Sequence, residues 1–253
     1  MHVHGGTVDI AIQDQTSDRI SLFLGATLGD IILLTTAVKD SASFNITTDG
    51  TVPVVGNFIL IQEDKKVTQE EILTVVAVAG AEYTISIAIP LDVTYSTTAS
   101  ASLQNVDMNI NGATTATTFS ATPETGTAWD INRMIVAMTH GTAGDDGLYG
   151  NLTKLTNGVY YRKEGTTSAQ SLYNVRENAE YRVEGYDVTY PTRSGGGGTF
   201  GTASRVTFNG QDKAGVAIRV NGTLAESFSG RVRDNISALT THRVKIQGHV
   251  VVD

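Results

Sequence analysis

The sequence predicts an all-β protein: an antiparallel, jelly-roll-like β-sandwich with a small β-barrel-like segment inserted into it or adjacent. Three observations carry this. Apolar and polar residues alternate in short, β-branched runs along nearly the whole chain. Gly, Asp and Asn separate those runs at the spacing of turns. Helix signals are sparse, with mostly strand and under about a tenth helix expected.

Taken in order, TVDIAI (7–12) sets Val8, Ile10 and Ile12 on one face of a strand. ISLFL (20–24) and IILLTTAV (31–38) are apolar enough for a sheet core, and FNITT (44–48) alternates before an Asp49-Gly50 turn. VGNFILIQ (55–62), ILTVVAVAG (72–80), YTISIAIPL (83–91) and ASLQNVDMNI (101–110) follow as further strands. Thr68 and Glu71, at capping-box spacing, propose a helical turn at 68–76, in conflict with its β-branched continuation. The segment 49–105 has its own beginning and end and is read as the small barrel. Residues 1–48 and 106–253 are then the sandwich.

The second half repeats the pattern. INRMIVAM (131–138) places Met134, Val136 and Met138 opposite Arg133 and Ile135. GVYYRKEG (158–165) follows an Asn157-Gly158 turn, and YRVEGYDVTY (181–190), RVTF (205–208), GVAIRVNG (215–222) and FSGRVR (228–233) are strand-like. Asp234 caps a candidate helical turn at 234–242. In RVKIQGHVVV (243–252), Val244, Ile246, Val250 and Val252 oppose Arg243, Lys245, Gln247 and His249. Two stretches read as loops: the Thr-rich 111–128 and the Gly-rich 192–204.

Composition narrows the function classes. The 253 residues are 40% hydrophobic and only 17% charged, with a net charge of -8, which disfavours a nucleic-acid partner. There is no cysteine, so disulfides, thiolate metal sites and cysteine nucleophiles are excluded together. No run of apolar residues is long enough to cross a bilayer as a helix, and MHVHGGTVDI lacks the basic and apolar regions of a secretion signal. The expectation is a soluble chain made in the cytoplasm, with no membrane partner and no cofactor.

Candidate chemistry is thin. In MTHGTAGDDGLYGNL (138–152), Asp145 and Asp146 are adjacent, and Glu164 is the next acidic residue. A calcium loop spaces its oxygen ligands at alternate residues and ends in a bidentate Glu, so a strand-connecting turn is the reading and a hard-cation site its alternative. His2 and His4 share a strand face without a nearby third ligand, and His140, His242 and His249 lack a triad context. The tetraglycine at 195–198 precedes a strand, whereas a phosphate fingerprint needs a helix there. Tyr149, Tyr160, Tyr161 and Tyr173 lead a crowd of tyrosines suited to a protein interface, to cross-strand packing or to a sugar-binding face.

The segments YTISIAIPLDVTY, WDINRMIVAMTH and GLYGNLTKLTNGVYYRKEG, with the closing block from RVTFNGQDKAGVAIRVNG to RVKIQGHVVVD, resemble structural virion proteins of tailed bacteriophages. The resemblance covers nearly the whole chain. It implies a virion component of the tail, baseplate, neck or capsid exterior, made in the host bacterial cytoplasm. It also implies symmetric self-assembly, contacts with other virion proteins, and loops ordered by neighbouring subunits; it brings no catalytic residue. The expectation is therefore a non-enzymatic structural protein. The alternative is a receptor- or glycan-binding adhesin using the tyrosine-rich loops on a host glycan. An enzyme would have to be built on Asp145, Asp146 and Glu164.

Overall fold

The computed structural model describes residues 19–112, 116–140, 159–165, 170–175, 181–182, 187–189, 200–207, 218–237, 239 and 241–252. Among them there is no helix, and every strand pairing is antiparallel.

One sheet of the sandwich contains β1 (Arg19–Phe23), β17 (Thr241–Val252), β9 (Thr127–His140), β14 (Phe200–Thr207) and β13 (Asp187–Thr189) in that order. β15 (Ile218–Asn221) pairs with the first part of β9. The other sheet runs β12 (Tyr181–Arg182), β11 (Gln170–Val175), β10 (Val159–Glu164), β16 (Ser227–Val232) and β8 (Thr117–Ala121). From β8 to β9 to β10, and again from β15 to β16 to β17, the chain switches sheet at each step. That order is a jelly roll.

The two sheets close on a core that includes Leu22, Trp129, Val136, Phe228 and Ile246. Strand alternation selects them: on β17 the even-numbered positions from His242 to Val250 are buried, while Arg243, Lys245 and Gln247 lie on the other face. Phase is kept past Gln247 by a bulge that leaves Asn132 of β9 unpaired. Gly248 sits at that bulge, where a Cβ would overlap the Asp130 carbonyl.

The crossover from β1 to β8 is a whole domain. β2 (Ala26–Leu33), β3 (Ser43–Thr48), β4 (Phe58–Glu63), β5 (Lys66–Ala79), β6 (Glu82–Ile87) and β7 (Ser100–Asn105) form a closed barrel in the order β2-β3-β6-β5-β4-β7. The barrel thus begins at Ala26, not at residue 49. Sequence punctuation placed the boundary at Asp49-Gly50, but that turn lies inside the barrel, and pairing of β2 with β7 closes it. Its interior holds Ile46, Ile59, Ile61, Ile72, Ile85 and Leu103.

Four local expectations change. Residues 68–76 lie within β5 rather than in a helical turn, since β-branched packing overrides the capping pattern. Residues 234–237 make a bridge and a turn, with Asn235 paired to Asn111. The Thr-rich 111–128 is not simply a loop: Thr117–Ala121 is a sandwich strand, its Phe119 and Ala121 fully within the core. The strand foreseen at 205–208 starts earlier, at Phe200, within the stretch read as Gly-rich loop. TVDIAI (7–12) and the tetraglycine lie outside the described residues.

Candidate interaction surface

The barrel is seated on the sandwich by built contacts. Every residue from Phe58 to Gln62 is buried, because this strand is covered on both faces. Ile59 and Ile61 point into the barrel, while Leu60 joins the sandwich core. On β5, the Gln69 Oε1 accepts from the Phe23 amide at 2.6 Å and its Nε2 donates to the Phe23 carbonyl at 3.0 Å. The same Nε2 donates to Gln104 Oε1 at 2.7 Å. Gln69 so fills the place of one missing strand rung on β1, the edge of its sheet among the described residues. The edge of the other sheet is met by Gly25, which exchanges two backbone hydrogen bonds with Ser120. Gly25 has no room for a side chain, since a Cβ would stand 2.9 Å from Gln104 Oε1.

Charge reinforces the joint. Arg243 on the outer face of β17 holds Asp107 through Nε at 2.6 Å and Nη2 at 3.3 Å, and lies over the Phe58 ring. Lys245 lies over the Phe23 ring, which packs edge-on against Phe58. Beside the joint, a cleft of about 650 Å³ opens between Gln62 and Ser100 of the barrel and the sandwich segments 122–125 and 222–225. Gln62 Nε2 donates to the Thr122 carbonyl across it. Burial pushes the Glu124 carboxyl above its ordinary range, with Asp64 and Glu63 adding to the shift.

The outward surface of the barrel is unlike that of the sandwich. Of the thirteen large hydrophobic side chains exposed among the described residues, eleven are on the barrel; Leu224 and Val252 are the others. The barrel also concentrates charge, with nine acidic residues against three lysines between 26 and 105, a net -6 out of the chain's -8. Apolar centres with a charged surround are the composition of protein-binding surfaces. ILTVVAVAG is a strand, as its sequence predicts, but it is not a covered one: Val76 and Val78 are both 59% exposed. The available signal was the run from Ile72 to Ala81, ten residues without one charge.

The residues singled out from the sequence do not converge. Tyr161 is fully buried in the sandwich core, its hydroxyl 3.1 Å from His242 Nε2. Its phase on β10 points it inward, so it offers nothing to a glycan or a partner. Tyr160 and Tyr173 are placed by their backbones on β10 and β11, opposite Asn174 and Tyr161 respectively. Tyr149, Asp145 and Asp146 lie outside the described residues, as do His2 and His4.

Glu164 is on the outer face of the second sheet, where Arg231 Nε and Nη2 reach it at 2.8 and 2.6 Å and Arg162 Nε at 3.0 Å. Ser229 donates to it as well. Burial opposes its ionisation, but these bonds outweigh that and hold the carboxyl down to about 2. Such a carboxylate is saturated with donors and unsuited to proton transfer at neutral pH. Burial also pushes the His242 imidazole down to about 3, so it is neutral in the folded protein. His140 ends β9 opposite Phe200, and His249 is exposed.

No family model matches the chain, and neither a curated protein nor a solved structure matches it.

Proposed function

We propose that the chain is a non-enzymatic structural component of a tailed-phage virion, assembling symmetrically and bridging neighbouring proteins in the tail, baseplate, neck or capsid exterior. The observation that carries this reading is the exposed apolar surface concentrated on a barrel that hydrogen bonds seat on the sandwich. A domain held that firmly presents its outer face at a fixed angle, which is what a bridging part of an assembly requires. Jelly rolls recur in viral capsids, and they recur in lectins as well, so the fold alone does not choose between them. Burial of Tyr161 removes one of the side chains on which a glycan-binding reading would draw. The resemblance in the sequence supplies the virion setting, with synthesis in the host cytoplasm.

Electron microscopy of the purified chain tests the proposal. Closed rings or rosettes of one size are the expected result. Dispersed single chains that bind a glycan array, with binding lost on Tyr160→Ala, would instead favour the adhesin.

A further inference from the structure

Among the described residues, the barrel has an open strand edge on β5. β5 pairs with β4 only over Lys66–Glu71, and two backbone bonds join Ile72 to Gly56 and Asn57. From Leu73 to Ala79 it pairs with β6 on one side and, among the described residues, with nothing on the other. Leu73 and Val78 are the two residues at which the pairing with β6 skips, so both are bulged. Between them, Thr74–Ala77 keeps regular register with Ser86–Tyr83. Thr74, Val76, Ala77, Val78 and Ala79 are all exposed, so both faces of the ribbon stand clear of the barrel wall near its tip. Natural edges are blunted by Lys, by Pro, by bulges or by a cover; the two bulges here flank Thr74–Ala77 and leave its register regular. This edge has neither Lys nor Pro between Ile72 and Ala81, whereas the sandwich edge at Phe23 is capped by Gln69.

We propose that the Leu73–Ala79 edge receives an extended segment of another protein by strand addition, a segment β-branched and uncharged at its centre and carrying Lys or Arg at the end that meets the ribbon tip. Charge selects that occupant. Thr48 and Asp49 bond to Ala81 and Asp30, which gathers Asp30, Asp49 and Glu82 around the tip. The barrel's lysines are at the far end: Lys39 and Lys66 both bond to Thr94, and Lys65 is in the adjoining turn. A second copy of the barrel brings the same -6 and the same acidic tip, so like charge opposes barrel-to-barrel pairing. Backbone hydrogen bonds supply the affinity of strand addition, and the flanking charge supplies its direction and choice of partner.

The inference rests on reading the chain as an assembly component, and the experiment separates the two. Amide hydrogen exchange of the intact chain is followed with synthetic peptides of alternating Val and Thr. One peptide ends in Lys, one ends in Glu, and one keeps the Lys but is interrupted by Pro. The Lys-ended peptide, at millimolar concentration, is expected to slow exchange across Leu73–Ala79 by about tenfold or more. The Pro-interrupted peptide should leave it unchanged, and Glu82→Lys should narrow the preference for Lys over Glu ends. No slowing, or equal slowing by the Pro-interrupted peptide, would overturn the proposal. So would slowing that depends on protein concentration without peptide, which would put a second copy on the edge. Rings that persist while this edge stays unprotected would sink the edge inference and leave the assembly reading standing. Peptide protection on a chain that never assembles would do the reverse.

Discussion

The Gln69 carboxamide bonds both backbone groups of Phe23, accepting from its amide at 2.6 Å and donating to its carbonyl at 3.0 Å. One side chain of the inserted barrel thereby completes a rung at the edge of a sandwich sheet. The barrel is consequently part of how the jelly roll closes, and its orientation is fixed by chemistry rather than by a tether.

Removing that carboxamide should loosen the joint. Gln69→Ala strands the Phe23 amide and carbonyl and takes a donor from Gln104. The Phe23 bonds are part-buried, and at about 0.5–1.5 kcal/mol net for each bond a total near 1–3 kcal/mol is expected in urea unfolding. A loss below about 0.5 kcal/mol would mean the rung is idle. The barrel should also become more open to protease at its Ala26 and Asn105 roots in the variant.

The buried His242 makes stability depend on acidity. Its folded-state pKa is depressed to about 3 from an ordinary 6.5. Between those values the unfolded chain takes up a proton that the folded chain refuses, so stability falls as pH drops through that window. The slope is at most about 1.4 kcal/mol per pH unit. Glu164, held down to about 2, adds a loss of its own only below the ordinary carboxylate value of 4.5. Glu70 and Glu124, both raised chiefly by burial, act in the opposite direction above 4.5. Comparing wild type with His242→Leu at each pH isolates the histidine. The difference between them should shrink steadily from pH 6.5 to 4.5; a constant difference would contradict the buried neutral imidazole.

Glu164→Gln tests whether the outer-face cluster is structural. Arg231 and Arg162 would keep weaker bonds and lose the charge they share. Their side chains are about a third exposed, so water screens the cluster and the expected loss is about 0.5–1 kcal/mol. The loss should shrink in high salt. Removal of a hydrolytic activity by this substitution would instead revive an enzymatic role.

Strand existence was legible in the sequence because alternation and turn residues report local geometry. The opposite faces of INRMIVAM are found as read, with Met134 and Val136 buried and Arg133 and Ile135 turned away. The domain boundary was not legible. Asp49-Gly50 marks a turn with equal force inside a domain or between two, and only the pairing of Ala26–Leu33 with Ser100–Asn105 tells which. The same limit hid the exposed apolar surface of the barrel. FILIQ and LTVVAVA look alike as apolar runs, yet the first is covered on both faces and the second projects into solvent. Periodicity identifies what a strand is able to bury; it does not say whether a second layer is there to bury it. Tyr161 failed as a contact residue for a related reason, since a tyrosine-rich count carries no phase, and position 161 falls on the inward face of β10.

A chain that is one copy of a symmetric, bridging assembly has a solution mass set by that symmetry. Light scattering behind a sizing column, over a range of protein concentrations, measures it most directly. A discrete multimer is expected, its mass a fixed multiple of one chain and constant as concentration rises. A single-chain mass at every concentration would contradict it.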